Sequence, residues 1–97
     1  MPVRKASARQ CTLRGKSIAS LEDFYDQISR ALAFPDHFGR NLDALWDVLT
    51  GDVEGPVKIV WKDSAVSKKS MGKDFEKVLS LLKDVAKARK DFQVVLE

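Results

Sequence analysis

The chain has one cysteine, one histidine and one tyrosine, and most of these scarcities close off a class of function. The lone Cys11 cannot form an internal disulfide, and in a strand-like setting it reads as a small buried hydrophobe. The lone His37 has no Cys or His partner at metal-ligand spacing, so neither a metal site nor a cofactor is expected. There is no glycine-rich phosphate loop and no serine in a nucleophile elbow, so an enzyme is not expected either. No apolar run approaches the roughly 20 residues that span a bilayer. The start, Met1-Pro2-Val3-Arg4-Lys5, lacks the apolar stretch of a secretory signal. A cytoplasmic protein without membrane contact is the default expectation.

What is present is the material of one small domain: 97 residues, 44% hydrophobic and 32% charged. The net charge of +3 hides a segregation. Residues 1–20 carry five basic groups and no acids, whereas residues 21–54 carry eight acids against two arginines. Residues 55–97 return to a basic balance, with ten cations and six acids. An acidic middle inside a basic protein makes the overall charge a poor guide to its partner.

Residues 1–9 are basic and lack periodicity, which predicts a flexible arm ahead of a single domain over residues 10–97. Gln10 to Leu13 reads as a strand ended by the turn Arg14-Gly15-Lys16. Ser20 is a candidate N-cap with Asp23 three later, and Leu21, Phe24, Tyr25, Ile28, Ala31 and Leu32 form a helical stripe. That helix should end near Ala33, because Pro35 drives Phe34 from the α region. Val57 to Trp61 has the β-branched content of a strand that is buried on both sides toward its end. Ser64 to Ser70 reads as a short helix broken by Gly72. A longer helix runs from about Lys73 to Ala88, with Phe75, Val78, Leu79, Leu82, Val85 and Ala86 facing inward and lysines and acids outside, most of them plain solubilising groups. Phe92 to Leu96 closes the chain as a strand. The order is β-α-α-β-α-α-β, and helical crossovers between successive strands predict an α/β fold with a three-stranded parallel sheet and about four helices.

The chemically unusual stretch is Asn41 to Gly51. Asn41 is a good N-cap and Gly51 a good left-handed C′ residue, so one short helix is expected between them. Leu42, Leu45, Trp46 and Leu49 form its apolar stripe, which places Trp46 in the core beside Trp61. Asp43, Asp47 and Thr50 share a different face. The two aspartates are four apart, which costs an isolated helix about 0.2–0.5 kcal/mol, and no Lys or Arg lies four residues from either. A solvated acidic face accounts for this spacing as well as a rigid pair of carboxylates offered to something cationic.

The run Leu32-Ala33-Phe34-Pro35-Asp36-His37-Phe38-Gly39-Arg40-Asn41-Leu42-Asp43-Ala44-Leu45-Trp46-Asp47, followed by Leu49-Thr50-Gly51, closely resembles the barstar family of ribonuclease inhibitors. The likeness extends over nearly the whole chain, and the family's three-stranded parallel sheet with helices agrees with the pattern above. It implies an inhibitor that plugs a positively charged nuclease cleft with an acidic helix and the loop before it. In that arrangement Asp47 mimics the scissile phosphate and Asp43 pairs with cations at the rim. Surrounding acids speed the encounter through long-range attraction, as complexes of this family themselves illustrate.

The resemblance extends the partner surface to Gly39, Asn41, Thr50 and Gly51, although capping alone would justify Asn41. Asp84 lies where the family carries a further acidic contact, one carbon longer. His37 and Phe38 stand in place of a tyrosine pair, with His37 able to stack and offer a ring nitrogen. Packing of the loop against the core explains Phe38 equally well. Asp52 replaces an aromatic residue. The implied partner is a basic secreted-type ribonuclease, bound one-to-one by a protein that is monomeric when free. The other reading is a scaffold of the same shape that has lost inhibition and binds another protein or nucleic acid. Direct nucleic-acid binding is not expected, because no recognition signature accompanies the basic ends and the acidic middle would repel a phosphate backbone.

Overall fold

The computed structural model describes residues 9–97. The predicted arm thus lies outside the described residues except for Arg9, which is the first residue of the first strand. The chain runs β1 (Arg9–Arg14), α1 (Leu21–Ala31), α2 (Leu42–Asp47), β2 (Val57–Lys62), α3 (Ser64–Met71), α4 (Lys73–Ala88) and β3 (Phe92–Leu96). The strands lie in sequence order β1-β2-β3, and both pairings are parallel. Cys11, Ile59 and Val94 stand side by side across the sheet, as do Leu13, Trp61 and Leu96.

One face of the sheet carries the core. Cys11, Leu13, Val57, Ile59, Trp61 and Phe92 pack there against Phe24 and Ile28 of α1, Leu45 of α2 and Val78, Leu82 and Val85 of α4. The alternate positions of β1 are exposed, whereas Val60 in the middle strand is only 4% exposed. Burial on both sides of β2, expected from its composition, follows from its central place. Cys11 is fully buried, and that burial pushes its thiol up to about 12, the behaviour of an inert core residue.

Trp61 organises the centre. Its ring stacks on Phe24 at 5.4 Å and meets Phe75 at 5.0 Å. Its indole N–H donates to Ser67 Oγ at 3.0 Å, and the Ser67 hydroxyl donates to the Gly15 carbonyl at 2.8 Å. That chain satisfies the polar atoms that Trp61 and Ser67 carry into the core. Gly15 has no space for a side chain, because a Cβ would strike the Lys62 and Asp63 carbonyls.

Local signals set the helix starts. Ser20 Oγ accepts the Asp23 amide at 3.2 Å, while the Asp23 carboxylate accepts the Ala19 amide at 2.9 Å, a displaced capping box. Gly72, at φ 61°, separates α3 from α4 as expected.

The stretch after α2 departs from expectation. The α-helix stops at Asp47 and widens into a π-type turn, Val48–Asp52, in which the Val53 amide reaches five residues back to the Val48 carbonyl at 3.0 Å. Gly51 lies inside this turn, and Gly72 alone among the described glycines has a positive φ. The left-handed C′ role expected for Gly51 is therefore wrong. The chain ends the helix by unwinding it, so no left-handed residue is needed.

Candidate functional site

The surface around α2 is assembled from the loop before it, the helix, the π-type turn after it and the middle of α4. The loop begins where α1 ends. Ala33 turns left-handed at φ 53°, the Phe34 amide donates to the Ser29 carbonyl at 2.9 Å, and the Phe38 amide donates to the Pro35 carbonyl at 3.0 Å. Phe38 is half-buried, edge-on to Phe34 at 4.9 Å and to Tyr25 at 5.7 Å, so part of its ring serves packing and part stays accessible. His37, next to it, is exposed. The Asn41 side chain accepts the Ala44 amide at 2.8 Å and donates to the Gly39 carbonyl at 3.3 Å. Gly39 is exposed but closely approached: a Cβ there would sit 3.3 Å from that of Ala44. Loop and helix start are thus braced together.

On α2, Asp43 and Asp47 are both exposed. Among the described residues, ion pairs join Arg40 to Glu22 and Asp26, Lys62 to Glu97, Lys68 to Glu76 and Arg89 to Asp91. None includes Asp43, Asp47, Asp52 or Asp84. The nearest arginine in sequence, Arg40, is engaged on the other side. Its Nη2 donates to Glu22 Oε1 at 2.6 Å and to Asp26 Oδ1 at 2.9 Å, and its guanidinium lies 5.8 Å from the centre of the Tyr25 ring. Hydrogen bonds to Glu22 and then Asp26 hold its proton more firmly than usual.

An open groove of about 590 Å³ separates α2 from α4, lined by Leu42, Asp43, Trp46, Glu76, Lys77, Ser80, Leu81 and Asp84. It brings Asp84 to the same depression as Asp43, although they are far apart in the chain. It also corrects the placing of Trp46, which is 36% exposed and lines the groove. The angular positions explain the error. At about 100° per residue, Leu45 and Leu49 point nearly together, and Trp46 lies about 60–100° away on the side of the aspartates. Leu45 of the helix and Leu49 of the turn after it, both fully buried, suffice to fill the core side. Glu76 also lines the groove, and nothing local in the sequence distinguishes it from its neighbours on α4.

At the far end, Thr50 is half-buried and its hydroxyl donates to the Trp46 carbonyl at 2.7 Å. Asp52 and Gly51 are exposed. A Cβ at Gly51 would meet nothing within 4 Å, so the fold itself does not require a glycine there. Behind the turn sits Arg89, which the sequence reading did not single out. Its Nη1 donates to the Leu49 carbonyl at 2.7 Å and the Val53 carbonyl at 2.9 Å. Its Nε and Nη2 donate to the two Asp91 oxygens, each at 2.9 Å. The Arg89 hydrogen bonds hold the Asp91 carboxyl below its ordinary value of 3.8. A dispersed site of this kind, with exposed carboxylates on a braced helix beside an aromatic groove, is suited to gripping a cationic surface.

Comparison with known proteins agrees on one family. The family model described as "Barstar (barnase inhibitor)" matches residues 8–97. A protein of Bacillus subtilis (strain 168) named "Putative ribonuclease inhibitor YrdF" is 36% identical over 90 residues, covering 92% of this chain and 99% of that relative.

Proposed function

This chain belongs to the barstar family, and from that premise we propose that it is an intracellular, non-catalytic inhibitor of a basic secreted-type ribonuclease, forming a one-to-one complex. A nuclease that cleaves RNA gathers Arg, Lys and His around the scissile phosphate, so its cleft is positive. Asp47 occupies the phosphate position and accepts paired hydrogen bonds from arginines. Asp43 and Asp84, lining one groove with Trp46, receive a cation at the rim, its aliphatic part against the indole. His37, Phe38, Gly39 and Asn41 on one side, and Thr50, Gly51 and Asp52 on the other, complete the plug. Long-range attraction then raises the encounter rate, a behaviour for which the barnase–barstar complex is itself the standard illustration.

The observation that carries the reading is the pairing pattern. Arg40 and Arg89 flank α2 and are both engaged elsewhere, while the helix keeps two exposed aspartates outside every ion pair among the described residues. Gly51 supports it, since a glycine that the fold does not need suits a surface another backbone approaches closely. The test is titration of the protein against barnase and a panel of small secreted microbial ribonucleases, read by RNA cleavage. Stoichiometric loss of cleavage that weakens with added salt supports the proposal. Retention on immobilised RNA without any effect on cleavage by the panel assigns the scaffold to nucleic acid and ends it.

A further inference from the structure

We propose that Arg89 is a positioning residue for partner binding: its guanidinium, forked on Asp91, holds the π-type turn Val48–Asp52 in the shape that presents Thr50, Gly51 and Asp52. The inference rests on the inhibitor reading above. In an α-helix the Val53 amide would donate to the Leu49 carbonyl; here it goes to Val48, and Arg89 Nη1 donates to Leu49 in its place. The same nitrogen reaches the Val53 carbonyl just beyond the turn, so one group ties both ends of the segment. The Asp91 carboxylate aims that nitrogen by taking Nε and Nη2, and the Asp91 carbonyl accepts the Val57 amide at 2.7 Å, which anchors the assembly to β2. The Arg89 side chain is 15% exposed, and Gly55 leaves the space it needs, because a Cβ at Gly55 would strike both Arg89 and Asp91. A lysine cannot make this fork, since its single ammonium replaces five fixed N–H groups.

Arg89→Lys preserves net charge and tests the clamp in two measurements. In the free protein, hydrogen exchange at the Gly51, Asp52 and Val53 amides should quicken by about tenfold or more, while the β2 amides keep their protection. Unchanged exchange in the turn overturns the proposal. With the panel ribonuclease that the wild type inhibits, koff should rise about tenfold and kon stay within about twofold, because the steering charges are untouched. A variant with lowered thermal stability and wild-type koff shows Arg89 to be structural only, which also overturns it. Asp91→Asn should act in the same direction with a smaller effect, and it decides the matter if Arg89→Lys does not fold. Asp47→Ala separates the two ideas. If Asp47→Ala leaves inhibition intact, the inhibitor reading fails and the clamp, as a device for binding, fails with it. If Asp47→Ala weakens binding while Arg89→Lys does not change koff, the clamp alone fails.

Discussion

Helices α1 and α2 carry acidic pairs at the same spacing, Glu22 and Asp26 on the first, Asp43 and Asp47 on the second. On α1 one arginine bridges both carboxylates, so the repulsion is cancelled within the molecule. On α2 nothing among the described residues does so. The arginine that bridges α1 comes from the loop immediately before α2, where Arg40 sits at φ 52° with its side chain directed to the earlier helix. The same spacing of acids thus ends as a closed structural contact on α1, which also carries Arg30 four residues after Asp26, and as an open acidic surface on α2. An i, i+4 pair of acids is uninformative until its counter-ions are located.

The comparison can be broken first at Asp47. Asp47→Ala should weaken inhibition by about 3–5 kcal/mol, a hundredfold or more, because it leaves the partner's cations buried without a counter-ion. Asp43→Ala should cost less, and Glu22→Ala should leave the inhibition constant almost unchanged, all read by cleavage titration. Equal effects at Glu22 and Asp47 would erase the distinction between the two helices.

Giving α2 its own cation should make it resemble α1. Gly51→Lys places an ammonium four residues after Asp47 in a position with room for a side chain. Thermal stability should hold or rise by about 0.5–1 kcal/mol, from loss of a glycine in a helical setting and the new pair. Inhibition should fall sharply in the same variant, so stability and binding move apart.

The converse change frees the acids of α1. Arg40→Ala removes two ion pairs whose groups are all more than a third exposed, so the loss of stability should be small and should shrink in high salt. Thermal melts at low and high ionic strength check it. Asp91 provides the smallest contrast. Its carboxyl is held below its ordinary value, so its contribution to stability is complete above about pH 4 and fades as pH falls through the depressed value. Melts between pH 5 and 2 should therefore show a shallower acid loss for Asp91→Asn than for the wild type.

Most of the fold could be read in order along the chain. The caps at Ser20 and Asn41, the break at Gly72 and the span of α4 all came out as expected, because each depends on groups within a few residues of one another. The candidate surface was legible for its aspartates and its loop. Trp46 and the end of α2 were misread, since an apolar stripe shows which side chains are able to be buried and leaves open how many the core admits.

By itself, then, the amino-acid order determined the sequence of strands and helices, the starts of α1 and α2, and the existence of an acidic face on α2. Those properties follow from hydrogen bonds and periodicity over one or two helical turns. Tertiary structure alone decided which acids are neutralised, that Asp84 shares a groove with Asp43 and Trp46, and that Arg89 braces the turn after α2. Those contacts join groups 18 residues apart at Arg40 and Glu22, and 40 apart at Arg89 and Leu49. Only packing helices onto a parallel sheet, whose crossovers return distant segments to one another, brings such groups within reach.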